Sequence, residues 1–237
     1  MEDKVVRFIE DKMLEIQDEE NKTIKKVSKM FANAIVDGGI IHLAALENDK
    51  AFLNELYYRA GGLVPFHKVD YLNLVVKGKR TYLEYQEFLK KYNHEFSKEM
   101  LDMYNIKAND IFLLVYNGKY EEILSGLTAE VIERGCKVVL LAASELIEQR
   151  WEKNDYFSKA LKYMSYCINN HMSVKEYEEY RCQNVINCVI AQMITIELYQ
   201  SLKDKRSLVN VFLSENIPGS DLHNKEIVRH YAGRWNS

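Results

Sequence analysis

Val5, Ile9, Met13, Ile16, Ile24, Val27, Phe31 and Ala34 recur at three- and four-residue spacing. That period puts one apolar stripe on an α-helix. It predicts a long amphipathic helix from Glu2 to Val36, with Asn21 as the point where it can break. Asp37-Gly38-Gly39 stops it, because glycine adopts the left-handed conformation that closes helices. "GIIHLAA" then reads as a buried strand, followed by a short loop and a helix over 50–60 that ends at Gly61-Gly62. "LVPFHKV" is a second strand whose proline marks a sheet edge. Residues 80–105 read as one helix, with Tyr82, Tyr85, Phe88, Leu89, Tyr92, Phe96, Met100 and Met103 on roughly one face.

The pattern then repeats. "NDIFLLVYNGKY" is a third strand and its loop, a helix over 121–134 ends at Gly135, "KVVLLAA" is a fourth strand and "YMSYCI" a candidate fifth. Residues 177–203 read as one long helix with Val185, Val189, Met193, Ile196 and Tyr199 as its apolar stripe. "NVFLSEN" is extended and leads to a terminal helix near 221–232, with Ser220 or Asp221 as N-cap. Strands alternating with helices imply right-handed crossovers and a parallel sheet covered on both faces. The expected organisation is one α/β domain over 1–237: a helical extension (1–36), the α/β core (37–205) and a C-terminal extension (206–237). In such a sheet a ligand sits beyond the carboxyl ends of the strands. The loops to inspect are therefore 44–50, 116–121 and 142–146.

Composition narrows the partners. The net charge of −3 gives no field that favours nucleic acid or an anionic membrane. The apolar runs, such as "IFLLVY", fall short of the ~20 residues of a membrane-spanning helix. The N-terminus has no secretory core. Cys136, Cys167, Cys182 and Cys188 lack CxxC spacing, so a reduced, cytoplasmic protein is the expectation.

Several stretches carry a family likeness. "GGIIH", "YYRAGGLVP" and "VFLSEN…DLHNKEIVRHYAGR" resemble the bacterial sugar isomerase (SIS) domain proteins of about this length, a group that includes the phosphoheptose isomerases. The likeness covers nearly the whole chain and is weakest between 145 and 205. It implies a flavodoxin-like three-layer α/β/α fold, with a five-stranded parallel sheet and long N- and C-terminal helices. It also implies a dimer or tetramer and a phosphorylated sugar ligand; a hetero-oligomer with a related SIS protein is a further expectation, and no cofactor is expected. Backbone amides and Ser/Thr hydroxyls of strand-end loops would hold the phosphate.

Those loops depart from the family pattern. Its Gly-Ser-Gly-His-Ser run corresponds to Ala45, Leu46, Glu47, Asn48 and Asp49, so both glycines and both hydroxyls are replaced and two carboxylates appear. A phosphate ~4 Å from one carboxylate is repelled by several kcal/mol at an effective dielectric near 20. The second loop, Ser-Asn-Ser-Gly in the family, is Tyr116, Asn117, Gly118 and Lys119; the asparagine stays and Lys119 can supply charge. The Thr-Ser pair after the fourth strand is Ala142 and Ala143, leaving Ser144 beside it. The Gly-Pro-Thr-Ser-Thr stretch has no counterpart in "EEYRCQNVIN". Asn48, Arg59, Asn117, Lys119 and Ser144 are the ligand-binding candidates.

Aldose–ketose isomerisation needs a base to move a proton between adjacent carbons and an acid at the oxygen. Glu55 stands where the resemblance places the base, and His223 in "DLHNKE" where it places a histidine able to reach a neighbouring subunit. Arg59 lies one turn after Glu55, so a plain ion pair between them is the competing reading. A helix-start histidine bonding locally is the competing reading for His223. His42, on a buried strand, reads as a hydrogen-bonded core residue. His67, His94, His171 and His230 show no metal-ligand spacing, and no metal is expected. Tyr156, Tyr163, Tyr166, Tyr177 and Tyr180 make the region where the likeness fades a candidate contact surface. The primary expectation is a SIS protein that has lost its catalytic function and acts as a self-associating or partner-binding subunit. A divergent sugar-phosphate isomerase and a metabolite sensor are the alternatives.

Overall fold

The computed structural model of the chain describes residues 2–46, 49–151, 156–231 and 233–234. Five strands form one parallel sheet in the order β2-β1-β3-β4-β5, with β1 at Ile41–Ala44, β2 at Phe66–Lys68, β3 at Ile111–Tyr116, β4 at Lys137–Ala142 and β5 at Tyr166–Asn169. β2 is the edge foreshadowed by Pro65, whose carbonyl accepts from Ile41 N at 2.9 Å. Side chains alternate across the sheet as strand period two requires. Ile41, Leu43, Ile111, Leu113 and Val115 enter one apolar cluster, and Ala44, Phe112, Leu114 and Tyr116 enter the other. The flavodoxin-like three-layer arrangement expected from the sequence is therefore present.

The first cluster is roofed by α1 (Glu2–Val36), α2 (Lys50–Leu56) and the 22-residue α10 (Gln183–Asp204). α1 runs unbroken through Asn21 for 35 residues, roughly 52 Å at an α-helical rise. Its buried positions Ile16, Ile24, Val27 and Phe31 pack in the cluster that α10 shares, and this continuous contact leaves no reason for a break. Gly38, at φ +77°, closes the helix. The second cluster holds residues from α3 (Leu72–Val76), α4 (Tyr82–Lys90), α5 (His94–Asp102), α6 (Glu121–Glu133) and α8 (Tyr156–Leu161). α7 covers Ser144–Trp151 and α9 covers Val174–Tyr180.

Several helices differ from the periodicity reading. Residues 80–105 are two helices: the Asn93 side chain accepts from Glu95 N at 2.9 Å and starts α5 afresh. Residues 177–203 are also divided, because Arg181 adopts φ +52° between α9 and α10. The inward stripe of α10 is Ile186, Ile190, Ala191, Ile194, Leu198 and Leu202, whereas Val185, Ile196 and Tyr199 are exposed. α2 stops at Leu56, before the left-handed Tyr58. The final helix, α11 (Ser220–His230), is entered through Gly219 at φ +84°, and neither Ser220 nor Asp221 caps it.

The two motifs that carry the family likeness meet in space. Gly61 N donates to Phe212 O at 2.8 Å, Phe212 N to Gly62 O at 3.0 Å and Val64 N to Asn210 O at 3.1 Å. "RAGGLV" and "NVF" thus pair as a short antiparallel ribbon. Beneath it Val64, Phe212 and Ile227 form a small separate cluster.

Candidate functional site

The strand order switches between β1 and β3, the place where a sheet of this kind offers a ligand crevice at the carboxyl ends. Of the loop after β1, the described Ala45 and Leu46 offer no side-chain donor. Ala45 turns into the first apolar cluster and Leu46 into the second, both nearly fully buried. Glu47 and the ligand-binding candidate Asn48 lie outside the described residues.

Asp49 comes next and takes an unusual role. It occupies the N-cap position of α2, where an aspartate ordinarily accepts a hydrogen bond from the helix's first turn. Here its side chain makes no capping bond. The carboxylate is turned inward, only 2% of the residue is exposed, and Oδ1 has no hydrogen-bond partner. Burial pushes its pKa up to about 7, against a hydrogen bond from the Asn117 side chain and the charge of Lys119, which pull it down.

Asn117 and Lys119 belong to the loop after β3. Lys119 N donates to Asn117 Oδ1 at 3.2 Å, and the turn is completed by Gly118 at φ +89° and Tyr120 at φ +61°. Side chains rarely adopt the last of these, and its presence marks a constrained loop. Above it lies a cleft of about 470 Å³ lined by Asn117, Lys119, Leu146, Tyr177, Glu178 and Gln183, among others. The Tyr177 hydroxyl accepts from Asn170 Nδ2 at 3.0 Å, and Gln183 Oε1 is buried without a partner.

The remaining candidates fall elsewhere. Ala142 and Ala143 are fully buried, and the Ser144 amide donates to Asn169 Oδ1 at 2.9 Å, so this N–H is already engaged. Glu55 pairs with Arg59, Nη2 to Oε1 at 3.1 Å, and the same Oε1 accepts from Gln192 Nε2. Arg59 Nε donates back to the Glu55 carbonyl. Neither residue lines the cleft beside Lys119. His223 is exposed on α11 and its Nε2–H donates to Val211 O at 3.0 Å. Sequence reasoning flagged the carboxylate gained at Asp49 but not its burial. Nor did it place Tyr177 and Gln183 beside the same loop, since nothing local in the chain brings residues 117 and 183 together.

Beneath the sheet's second layer lies a buried polar chain. His42 Nε2 donates to Asp110 Oδ2 at 3.1 Å, and His67 on β2 sits with its Nδ1 3.4 Å from His42 Nδ1. Arg234 closes the other end with bonds of 2.6 and 2.7 Å to the two oxygens of Asp110. The Ile40 and Lys107 amides donate to the same carboxylate. These partners hold the Asp110 pKa down at about 2 despite burial, and burial keeps His67 neutral, with a pKa near 3. Among the described residues no group of three or more His, Cys, Asp or Glu side chains is arranged to hold a metal ion.

A doubly wound parallel sheet in 2-1-3-4-5 order defines a flavodoxin-like α/β protein. The chain belongs to the SIS domain family, whose model matches residues 6–143. It is similar to UPF0309 protein BH0227 of Halalkalibacterium halodurans, 24% identical over 92% of this chain and 89% of that one. A UPF0309 protein of Geobacillus thermodenitrificans is likewise 24% identical, over 99% and 96%. Among solved structures it shares its fold with a phosphoheptose isomerase from Francisella tularensis (TM-score 0.52, 13% identity, 82% of this chain and 97% of that one). A second likeness is to the phosphoheptose isomerase of Neisseria gonorrhoeae (TM-score 0.50, 10% identity, 80% and 94%).

Proposed function

We propose that this SIS protein binds a carbohydrate in the cleft beside the β3 loop, does not isomerise it, and works as a self-associating subunit. The observation that carries the reading is the fate of the phosphate-loop positions. Ala45, Leu46, Ala142 and Ala143 are packed into the core, where the family pattern would present glycine amides and hydroxyls. Glu55, the residue at the base position, is engaged by Arg59 and Gln192. A base without an anchored substrate loses the positioning on which proton transfer depends.

The competing reading is an isomerase in which Glu55 is the base and His223 is supplied across a subunit contact. Its support is that His223 stands exposed on α11. An isomerase assay over a panel of aldose and ketose phosphates separates the two. We expect wild-type protein to show no turnover above background. Turnover that falls by a hundredfold or more in Glu55→Gln would establish the isomerase instead.

A further inference from the structure

We propose that the outer face of the α1–α10 layer docks on the same face of a second copy of this chain, with the two α1 helices antiparallel across a two-fold axis. This rests on the self-association proposed above, and it specifies how the copies meet. α1 separates its charges along its length. From residue 10 to 20 it carries Glu10, Asp11, Glu15, Asp18, Glu19 and Glu20 against Lys12 alone. From 22 to 29 it carries Lys22, Lys25, Lys26 and Lys29 and no acid. Glu15, Glu19 and Glu20 face Lys12 or His171. Glu10, Asp11, Asp18, Lys22, Lys25 and Lys29 are exposed, and among the described residues none of these six forms an ion pair. Glu10, Leu14, Asp18, Lys22, Lys25 and Lys29 recur at three- and four-residue steps, so they share one outward stripe, acidic at one end and basic at the other.

The apolar positions follow the same division. α10 runs beside α1 in the same sense: Phe8 stacks on Tyr180, just ahead of α10, at 4.0 Å, and Ser28 Oγ donates to Ile194 O at 3.4 Å. Met13 and Leu14 therefore lie along the acidic half, and Ile196 and Tyr199 beside the basic half. All four are exposed, Leu14 by 59% and Ile196 by 65%, and the groove wall of Val189 and Met193 links them. An apolar seam rimmed by charge is the mark of a protein contact. Turning one copy over another, about an axis near residue 20, sets Asp11 against Lys29 and Asp18 against Lys22, and symmetry makes each pair twice. The same turn lays Met13 and Leu14 over Ile196 and Tyr199 of the second copy. A parallel arrangement would lay carboxylate on carboxylate and ammonium on ammonium. Exposed ion pairs add little affinity, so the seam holds the copies together and the charges set their direction.

Sedimentation equilibrium with two charge-reversed chains tests the assignment. One carries Lys22→Glu, Lys25→Glu and Lys29→Glu, the other Glu10→Lys, Asp11→Lys and Asp18→Lys. Wild type is expected to dimerise. Each reversed chain alone should bind itself at least about a hundredfold more weakly, with unchanged helical circular dichroism. An equimolar mixture of the two should form a heterodimer within about tenfold of the wild-type affinity, because every cross pair is remade. Should a reversed chain not fold, the same three positions replaced by glutamine must weaken the wild-type dimer at least about tenfold. Variants that dimerise as tightly as wild type, or a mixture of folded reversed chains that stays monomeric, overturn the antiparallel charge-matched contact and leave self-association standing. A monomeric wild type overturns the contact together with the self-association it rests on.

Discussion

Asp49 and the His42–Asp110 pair place ionisable groups in the interior and resolve the cost in opposite ways. Asp49 has no cation bound to it, so burial favours its neutral form, and the folded pKa of about 7 stands above the ordinary 3.8. Its ionisation opposes folding progressively as pH rises from about 4 to 7. Asp49→Asn should therefore raise stability by on the order of 2–4 kcal/mol at pH 8 and by almost nothing at pH 4. Urea titrations at the two pH values measure this. Asp110 is the reverse case, since its folded pKa of about 2 lies below the ordinary value. The stability it contributes is complete above pH 4 and is lost as pH falls toward 2. His42 was legible from the sequence as a bonded core histidine, because a lone histidine in "GIIHLAA" has to satisfy its ring nitrogens. Its partner was not, because Asp110 is 68 residues away.

At the scale of elements, the sequence signals that failed were mainly those of apolar period, the Ser220 or Asp221 cap of α11 being the exception among the caps. Thr81–Glu84 and Ser173–Glu176 are both complete capping boxes in the structure, and each has the S/T-x-x-E form that marks a helix start. A continuous apolar stripe across 80–105 concealed the break at Asn93. On α10 both sides are apolar, so periodicity had no contrast from which to pick the inward face; tertiary packing against α1 chose it. α6 offers a test of how tightly the second layer is packed. A methyl group at Gly126 would fall on the ring end of Tyr92, from the α4–α5 connection. Gly126→Ala should destabilise the fold by about 1–3 kcal/mol, despite the higher helix propensity of alanine. In a Tyr92→Leu background the same substitution should cost less than half as much, which a double-mutant cycle of chemical denaturation would show.

Across the whole molecule, the alternation of strand and helix foretold the parallel sheet well, because a fully buried strand leaves an unmistakable apolar run. What the alternation could not foretell is the outer surface of the α1–α10 layer. Met13, Leu14, Val189 and Met193 line an apolar groove there, continued by exposed Ile196 and Tyr199. That surface is where the proposed self-association would occur. Sedimentation equilibrium should give a dimer or larger species for wild type and a monomer for Leu14→Lys combined with Ile196→Lys, with secondary structure retained. The long-range clasp is tested separately. Arg234→Met leaves the Asp110 carboxylate buried with one cation fewer and should cost on the order of 3 kcal/mol in urea denaturation.

The clasp has a consequence for how the polypeptide is made. Arg234 follows Asp110 by 124 positions. Throughout vectorial synthesis on the ribosome, β1 and β3 therefore emerge with the Asp110 carboxylate between them uncompensated by arginine, and the nascent sheet cannot reach its full stability until this late guanidinium has cleared the exit tunnel.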